Sequence, residues 1–307
     1  MVEIRSRYWA PVEQNTTLMA ELEMVGPGKK VLEIGPGSGH LTEALAKRNC
    51  EVTCVELDDS LTSIARSYCQ RMIFADVERL NLEDAFPGER FDVIVLGDVL
   101  EHLRDPGTVL RKLRACLQPL GYLVSSVPNV AHASVRLALL DGEFNYTAEG
   151  ILDCSHLKFF TLRTIAAVIQ DAGYQIRELR RTRVGVFNAE VNVAIENVAV
   201  SVLRRLMRDP EATTYQFIFA AEALTDNAHS QTRVAILSNL ADHTWSYRKA
   251  KNRLARSLMR KGRTLLREDD SRKARAWLYR SFMLHPRLQT LVYLYLSCIR
   301  RSRFPAS

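Results

Sequence analysis

Long apolar runs and metal-binding cysteine patterns are both missing from this chain of 307 residues. No continuous apolar stretch approaches the about 20 residues that a membrane-spanning helix needs. The six cysteines form no Cys-x-x-Cys pair and have no histidine partner at metal-ligand spacing, so we expect no bound metal. Residues 1–8 lack the apolar core of a signal peptide. Together these absences predict a cytoplasmic protein.

Acidic residues are scarce near the end of the chain. Residues 243–307 contain 17 Lys and Arg against three acids, whereas the whole chain has 42 basic and 35 acidic residues. Apolar residues recur in this segment at helical spacing, which predicts a basic helical tail behind a polar linker at 226–242. We expect the tail to pack on the preceding domain, on a second copy of the chain in a homodimer, or on a protein partner. Two further alternatives are an anionic membrane surface, which would place the protein at the inner face of the membrane, and nucleic acid.

The most informative stretch of the chain is residues 31–40, Val-Leu-Glu-Ile-Gly-Pro-Gly-Ser-Gly-His. An apolar run ends in Gly35, Gly37 and Gly39, and a helical pattern follows, which predicts a strand, a tight turn and a helix. Glycine allows positive φ and lets a ligand lie against the main chain. Counted from Gly35, the third glycine of the dinucleotide fingerprint G-x-G-x-x-G would fall at position 40, which is histidine.

Apolar segments alternate with amphipathic segments along the first 225 residues. This alternation predicts an α/β fold with a mainly parallel, seven-stranded sheet and helices on both faces. The predicted strands are 31–34, 52–57, 71–75, 91–97, 121–127, 174–178 and 213–220. The predicted helices are 40–48, 59–69, 106–117, 161–172 and 191–207.

Acidic side chains stand at or beside the ends of four predicted strands. They are Glu33, Glu56, Asp76 and Asp98. Ligands of open parallel sheets bind beyond the carboxyl ends of the strands, so we expect these acids to line one pocket. Glu56 follows Gly35 by 21 residues, a spacing at which an acid accepts hydrogen bonds from both ribose hydroxyls of a nucleotide.

The pattern Glu-x-Gly-x-Gly-x-Gly at 33–39 resembles motif I of class I S-adenosylmethionine-dependent methyltransferases. The resemblance implies a Rossmann-like sheet with an antiparallel last strand, a methyltransferase domain over 1–225, and a separate tail at 243–307. It also implies S-adenosyl-L-methionine as cofactor and S-adenosyl-L-homocysteine as product. Glu33 would lie near the methionine end and Asp76 beside the adenine amino group. The expected cofactor-binding residues are Glu33, Gly35, Gly37, Ser38, Gly39, Glu56, Leu57, Asp76, Val77, Asp98 and Val99.

Three later segments bear on the acceptor. Residues 98–106 resemble small-molecule O-methyltransferases related to ubiquinone enzymes, and 128–132 and 150–161 resemble bacterial methyltransferases of glycan assembly. We expect methyl transfer to a hydroxyl of a sugar or of a glycan- or lipid-linked intermediate. The alternatives are a quinone or natural-product O- or N-methyltransferase and a non-catalytic scaffold. Adenine methylation of RNA is less expected, because no base-stacking aromatic residue follows Asp98.

Three histidines follow strand ends on the expected acceptor side, His102, His132 and His156. A hydroxyl is a poor nucleophile until its proton leaves, so a general base is expected. We favour His156, because Asp153 lies three residues earlier and would orient the imidazole from the same helical turn. A hydrogen-bonded structural histidine is the alternative for each. The segment 132–156 is longer than a plain crossover loop and is predicted to be a lid.

Overall fold

A computed structural model of the protein describes residues 16–60, 62–224, 246–268 and 270–302. The chain divides into two compact units. The sheet unit contains 1–130, 153–182 and 215–241, and the helical unit contains 131–152, 183–214 and 242–307. The predicted linker at 226–242 lies outside the described residues.

The predicted seven-stranded sheet is confirmed, in the order β3-β2-β1-β4-β5-β7-β6. Its strands are β1 (Lys30–Ile34), β2 (Glu51–Glu56), β3 (Arg71–Phe74), β4 (Phe91–Gly97), β5 (Leu117–Pro128), β6 (Tyr174–Arg183) and β7 (Thr214–Ala223). Strands β1 to β5 pair in parallel, while β7 pairs antiparallel with β5, as the resemblance implied.

The sheet is covered on both faces. Val31 and Val93 belong to one apolar cluster, while their chain neighbours Leu32 and Ile94 belong to another. This separation follows from the two-residue period of a strand, which directs successive side chains to opposite faces. Apolar runs such as β1 and β4 therefore mark buried parallel strands, as the sequence predicted.

Strands β5, β6 and β7 each extend several residues beyond their predicted ranges. Strand β5 continues to Pro128, because its pairing with β7 extends to Gln216. Strand β6 continues to Arg183 with mostly half-buried or exposed side chains. Its apolar pattern ends earlier than its backbone pairing, since an edge strand has only one neighbour and need not be apolar throughout.

Within the described residues the α-helices are α1 (Thr16–Val25), α2 (His40–Lys47), α3 (Ser63–Tyr68), α4 (Leu82–Ala85), α5 (Pro106–Arg114), α6 (Ala133–Leu140), α7 (Leu162–Asp171), α8 (Val200–Leu206), α9 (Tyr247–Arg267), α10 (Ser271–Leu284) and α11 (Leu288–Ser302). Helices α1, α4 and α6 were not predicted. The helix predicted at 191–207 is wrong over its first half: a 3₁₀ turn at Ile195–Asn197 precedes α8, and Ala199 is extended. That turn still buries Ile195 and Val198, which explains their helix-like spacing.

The helical unit consists of α6, α8 and the three helices of the tail. Gly262 of α9 permits a close approach to α10, since a Cβ at that position would lie 2.7 Å from Leu278 Cγ. The Ser281 hydroxyl of α10 donates to the carbonyl of Ala255, 2.7 Å away. The predicted helical tail is thus confirmed over the described residues. The segments 131–152 and 183–214 belong to the same unit, which differs from the predicted division at residue 225.

No helix in the described parts of the chain combines the length and the apolar character needed to cross a bilayer.

Candidate active site

The glycine turn after β1 has the geometry that the sequence predicted. Gly35, Gly37 and Gly39 all have positive φ, +66°, +51° and +82°. A Cβ at Gly39 would lie 2.2 Å from the backbone nitrogen of Ala65, so only glycine fits there. A Cβ at Gly37 would meet nothing within 4 Å. Open space therefore lies against the main chain at Gly37, as a bound ligand requires.

The carboxylate of Glu56 closes the turn from the end of β2. It accepts hydrogen bonds from the backbone nitrogens of Gly37 (3.1 Å), Leu57 (2.6 Å) and Asp58 (3.1 Å). The backbone nitrogen of Ala75 donates to the Glu56 carbonyl over 2.9 Å, which joins the ends of β2 and β3. The predicted acids of these two strands therefore lie at one edge of the sheet.

Asp76 stands just beyond β3. Its carboxylate accepts a hydrogen bond from the nitrogen of Glu78 (2.9 Å) and lies 3.4 Å from Nε of Arg79. Val77 is buried in the apolar core and Leu57 is largely exposed. Ser38 is half-buried in the glycine turn, and Val99 is half-buried beside Gly35.

Glu33 is buried at the end of β1. The Thr42 hydroxyl donates to its carboxylate over 2.7 Å. Burial raises the pKa of Glu33 to about 7, and the Thr42 hydrogen bond only partly offsets that rise.

Glu21 of α1 is a second buried acid that faces this edge. Neither oxygen of its carboxylate has a hydrogen-bond partner among the described residues. One of them lies 2.8 Å from the place a Cβ would occupy on Gly97, so Glu21 covers the end of β4. Burial, and next the charge of Asp98, raises the pKa of Glu21 to about 8. The nearby Ser126 hydroxyl lowers the pKa by less than burial and Asp98 raise it, and its own hydrogen bond goes to Asp98 (2.8 Å).

Asp98 is fixed in an unusual conformation just after β4. Its φ is +51°, a region that non-glycine residues seldom adopt. The Gln216 amide donates to both carboxylate oxygens at 2.8 Å, and its own oxygen accepts from the Thr17 hydroxyl (2.7 Å). Asp98 is therefore held by side chains from β5, β7 and α1.

His102 and His156 lie side by side, with ring centroids 4.8 Å apart. The backbone nitrogens of Leu157 and Lys158 both donate to the carbonyl of Glu101, at 2.8 and 2.9 Å. These bonds bring the segment that carries His156 against the 3₁₀ turn Leu100–His102. His156 is buried and His102 is half-buried.

The expected orientation of His156 by Asp153 is not found. The Asp153 carboxylate accepts from the backbone nitrogen and hydroxyl of Ser155, at 2.8 and 2.6 Å. The Asp153 carboxylate, which was expected to orient the His156 imidazole, is therefore part of a local turn. Ser155 is only two residues away, and its hydroxyl and backbone nitrogen are nearer donors.

His132 has a structural environment in the helical unit. It is fully buried and caps α6, where its Nδ1 accepts from the backbone nitrogen of Ser134. Its Nε2 lies 3.1 Å from the Val184 carbonyl. Burial lowers the pKa of His132. A base must reach a substrate proton, so we leave His132 out of the proposed mechanism.

Sequence reasoning missed Glu21, Glu101 and Gln216. A signal for Glu21 was present, because it falls at helical spacing from Thr17 and Met24 on the buried face of α1. A lone acid on such a face is a candidate functional group. Gln216 gave no signal, since it is one polar residue in an apolar strand.

The sheet order, the antiparallel β7 and the glycine turn beside strand-end acids define a class of protein. This is the fold of class I S-adenosylmethionine-dependent methyltransferases. A family model described as a methyltransferase domain matches residues 2–179, more than half of the chain. The protein belongs to this methyltransferase family.

Curated relatives are ubiquinone biosynthesis O-methyltransferases. That of Actinobacillus pleuropneumoniae is 32% identical over 124 residues, which cover 38% of this chain and 53% of the relative. That of Thiobacillus denitrificans is 29% identical over 192 residues, covering 58% and 82%. The chain thus spans only about half to three-fifths of the first relatives it matches.

A solved structure with bound SAH, the magnesium protoporphyrin IX methyltransferase of Synechocystis PCC 6803, is also similar. It is 16% identical with a TM-score of 0.46, and the match covers 68% of this chain and 82% of that chain.

Proposed function

We propose that this protein transfers a methyl group from S-adenosylmethionine to a hydroxyl of a small-molecule acceptor. The observation that carries the proposal is the set of buried carboxylates beside the glycine turn. Glu21 and Glu33 are buried without a described cationic partner, which is unfavourable for the ionised acid. A ligand with positive charge would offset that cost, and S-adenosylmethionine carries a sulfonium and an ammonium group.

The remaining residues of the edge fit the other parts of this cofactor. The open space at Gly37 admits a ligand against the main chain. The Glu56 carboxylate lies beside that space and is suited to accept from ribose hydroxyls. We assign Asp76, beyond the next strand, to the adenine amino group, and Glu33 with Asp98 to the methionine end.

Bound S-adenosylmethionine supplies an electrophilic methyl carbon on a positively charged sulfur. The protein's part is to hold the acceptor oxygen in line with that carbon and to remove the hydroxyl proton. Positioning of this kind is worth up to about 7–11 kcal/mol in well-oriented systems. We assign proton removal to the cluster of Glu101, His102 and His156, in which His156 is the more enclosed imidazole.

The acceptor is the finer part of the proposal. The glycan acceptor expected from 128–132 and 150–161 has no support in the comparisons. Ubiquinone biosynthesis O-methyltransferases among the relatives favour the alternative, a quinone-type or other small molecule. We therefore propose a phenolic hydroxyl as acceptor, which also ionises more readily than a sugar hydroxyl.

Calorimetric titration with S-adenosylmethionine tests the cofactor site. Gly37→Val fills the space at the turn and should abolish binding. Gly88→Val is a matched control, since Gly88 also has positive φ (+69°) and no atom within 4 Å of its built Cβ, but lies away from the turn. Equal binding by the two variants would refute the proposed pocket.

Methylation of a catechol and a sugar nucleotide with labelled cofactor then separates the two acceptor classes. Transfer only to the sugar would overturn the phenolic assignment.

A second proposal concerns the helical unit, where α9 carries nine Lys and Arg and no acid. A cavity of about 690 Å³ in this unit is lined by Arg183, Lys249, Arg253, Arg256 and Arg260. We propose that this basic surface binds anionic lipid headgroups. Wild-type protein should cosediment with phosphatidylserine vesicles and not with phosphatidylcholine vesicles, and the double variant Arg253→Glu, Arg256→Glu should lose that binding. Retained binding in the variant would contradict the proposal.

A further inference from the structure

Three side chains of the sheet unit form a compact set of potential metal ligands. Glu101, His102 and His156 each offer one ligand atom, and the three atoms lie within 4.8 Å of one another. Zn²⁺ binds such atoms at about 2.0–2.2 Å, so a cation between them needs side-chain shifts on the order of 1 Å. Half-buried His102 can make such a shift without opening the core.

The Glu101 carboxylate is the observation that points to a ligand. It is 1% exposed, and neither oxygen has a hydrogen-bond partner among the described residues. The charged groups that act on it are all acidic, namely Asp98, Glu21 and Asp153. An ionised carboxylate in such surroundings is stable only beside a cation. Because imidazole nitrogens bind metals through a lone pair, the two histidines favour a metal over an organic ammonium group.

One ring nitrogen of His102 is engaged by the backbone. Its Nδ1 lies 3.3 Å from the carbonyl oxygen of Ser155, which can only accept, so Nδ1 must carry the proton. The lone pair is then on Nε2. Ligating histidines commonly donate their other ring N–H to a carbonyl, which fixes the ring. The bonds from Leu157 and Lys158 to the Glu101 carbonyl hold the two chain segments together around the cluster.

We infer that Glu101, His102 and His156 bind one divalent cation of the zinc or manganese class. Two histidines and one glutamate are a ligand set of catalytic zinc sites, which keep a further position open. No metal was expected from the sequence, because it has no cysteine or histidine pair at the short spacing of metal ligands. These ligands come instead from two segments about fifty residues apart that only the fold brings together.

The open position suggests a role that rests on the proposed function. An acceptor hydroxyl bound there would lose its proton to water, because a bound cation lowers the pKa of its oxygen ligands. The oxygen would then form its bond to the methyl carbon while the carbon–sulfur bond breaks and its electron pair goes to sulfur. In this arrangement His156 is a ligand, not the base.

The test uses the full-length protein, stripped with a chelator and dialysed. Titration with ZnCl₂ and with MnCl₂, together with metal analysis, should give one ion per chain for at least one of them. Glu101→Gln and His102→Ala should weaken that binding by more than about 100-fold, since even an outer partner of a ligand is worth about 10–100-fold. His285→Ala, in the helical unit, should bind as the wild type does. Circular dichroism checks that each variant is folded. If Glu101→Gln does not fold, the result for His102→Ala decides, because His102 is only half-buried.

Two outcomes would overturn the metal site: no stoichiometric binding by the wild type, or equal binding by His102→Ala and the wild type. Titration of the same samples with S-adenosylhomocysteine keeps the proposals apart. If the metal binds and the cofactor product does not, the proposed function fails and the cation site stands. If the product binds and neither metal does, the cation site fails and His156 returns to the role of base.

Discussion

The two units of this protein use charge in opposite ways. In the sheet unit, acids such as Glu21, Glu33 and Glu101 are buried at strand ends or beside them. In the helical unit, the basic residues of α9 are exposed or half-buried. A buried charge interacts strongly with groups close to it, while the interactions of an exposed charge are weakened by water and salt. The first arrangement suits one ligand of fixed shape, and the second suits an extended anionic surface.

The largest difference between the two units should be the loss of stability when a closely packed glycine is replaced. Gly39→Ala should destabilise the protein by about 3–5 kcal/mol, because its Cβ would overlap the backbone of Ala65 at positive φ. Gly262→Ala in the helical unit should cost only about 1–3 kcal/mol, since it meets the Leu278 side chain first. Urea denaturation measures both. Equal losses would show that the glycine turn is no more constrained than a helix contact.

Ionisation of the buried acids should make stability depend on pH. The pKa of Glu21 is raised from 4.5 to about 8 and that of Glu33 to about 7, so the native state holds protons more tightly than the unfolded state. Stability should therefore fall as pH rises from about 5 to 8, by up to about 1.4 kcal/mol per unit for each group. Denaturation curves across this range provide the measurement.

Glu21→Gln removes one of these ionisations. It should stabilise the protein without cofactor at pH 8 by about 1–3 kcal/mol and flatten the pH dependence. Glu51→Gln, at an exposed position that begins β2, is the control and should leave the curve unchanged. A slope in Glu21→Gln as steep as in the wild type would assign the pH dependence to other groups.

The contact proposed for adenine should have a moderate effect. Asp76→Ala should weaken S-adenosylhomocysteine binding about tenfold, the equivalent of about 1.4 kcal/mol, through loss of one hydrogen bond to a charged acceptor. The arginine beside it, Arg79, is largely exposed, so Arg79→Ala is the control. Isothermal titration gives both affinities, and an unchanged value for Asp76→Ala would remove it from the pocket.

Removing a single basic side chain from the helical unit should have the smallest effect of these substitutions. Arg256→Ala should weaken binding to phosphatidylserine vesicles by about 1 kcal/mol, and 0.5 M salt should weaken it further. Arg163 on α7 of the sheet unit is an exposed control. If neither the substitution nor the salt changes the affinity for vesicles, binding does not depend on charge and the proposal is contradicted.

The sequence predicted those features that depend on local pattern. Continuous apolar runs located β1 and β4, and the positions of Glu33 and Glu56 at one edge of the sheet followed because parallel strands end there. Glu21 was missed, because its significance depends on α1 packing over Gly97. The pairing of Asp153 with His156 was expected from spacing alone, and the nearer hydroxyl of Ser155 takes that carboxylate.

The central claim is that the buried carboxylates of Glu21 and Glu33, which have no cationic partner among the described residues, await a cationic cofactor. Its most direct test compares the affinities of S-adenosylmethionine and S-adenosylhomocysteine, which differ by the methyl group and the positive charge on sulfur, at pH 6 and pH 8.5. Because Glu21 and Glu33 ionise across this interval, the preference for the charged compound should grow with pH. A preference that stays constant, or that falls, would contradict the account.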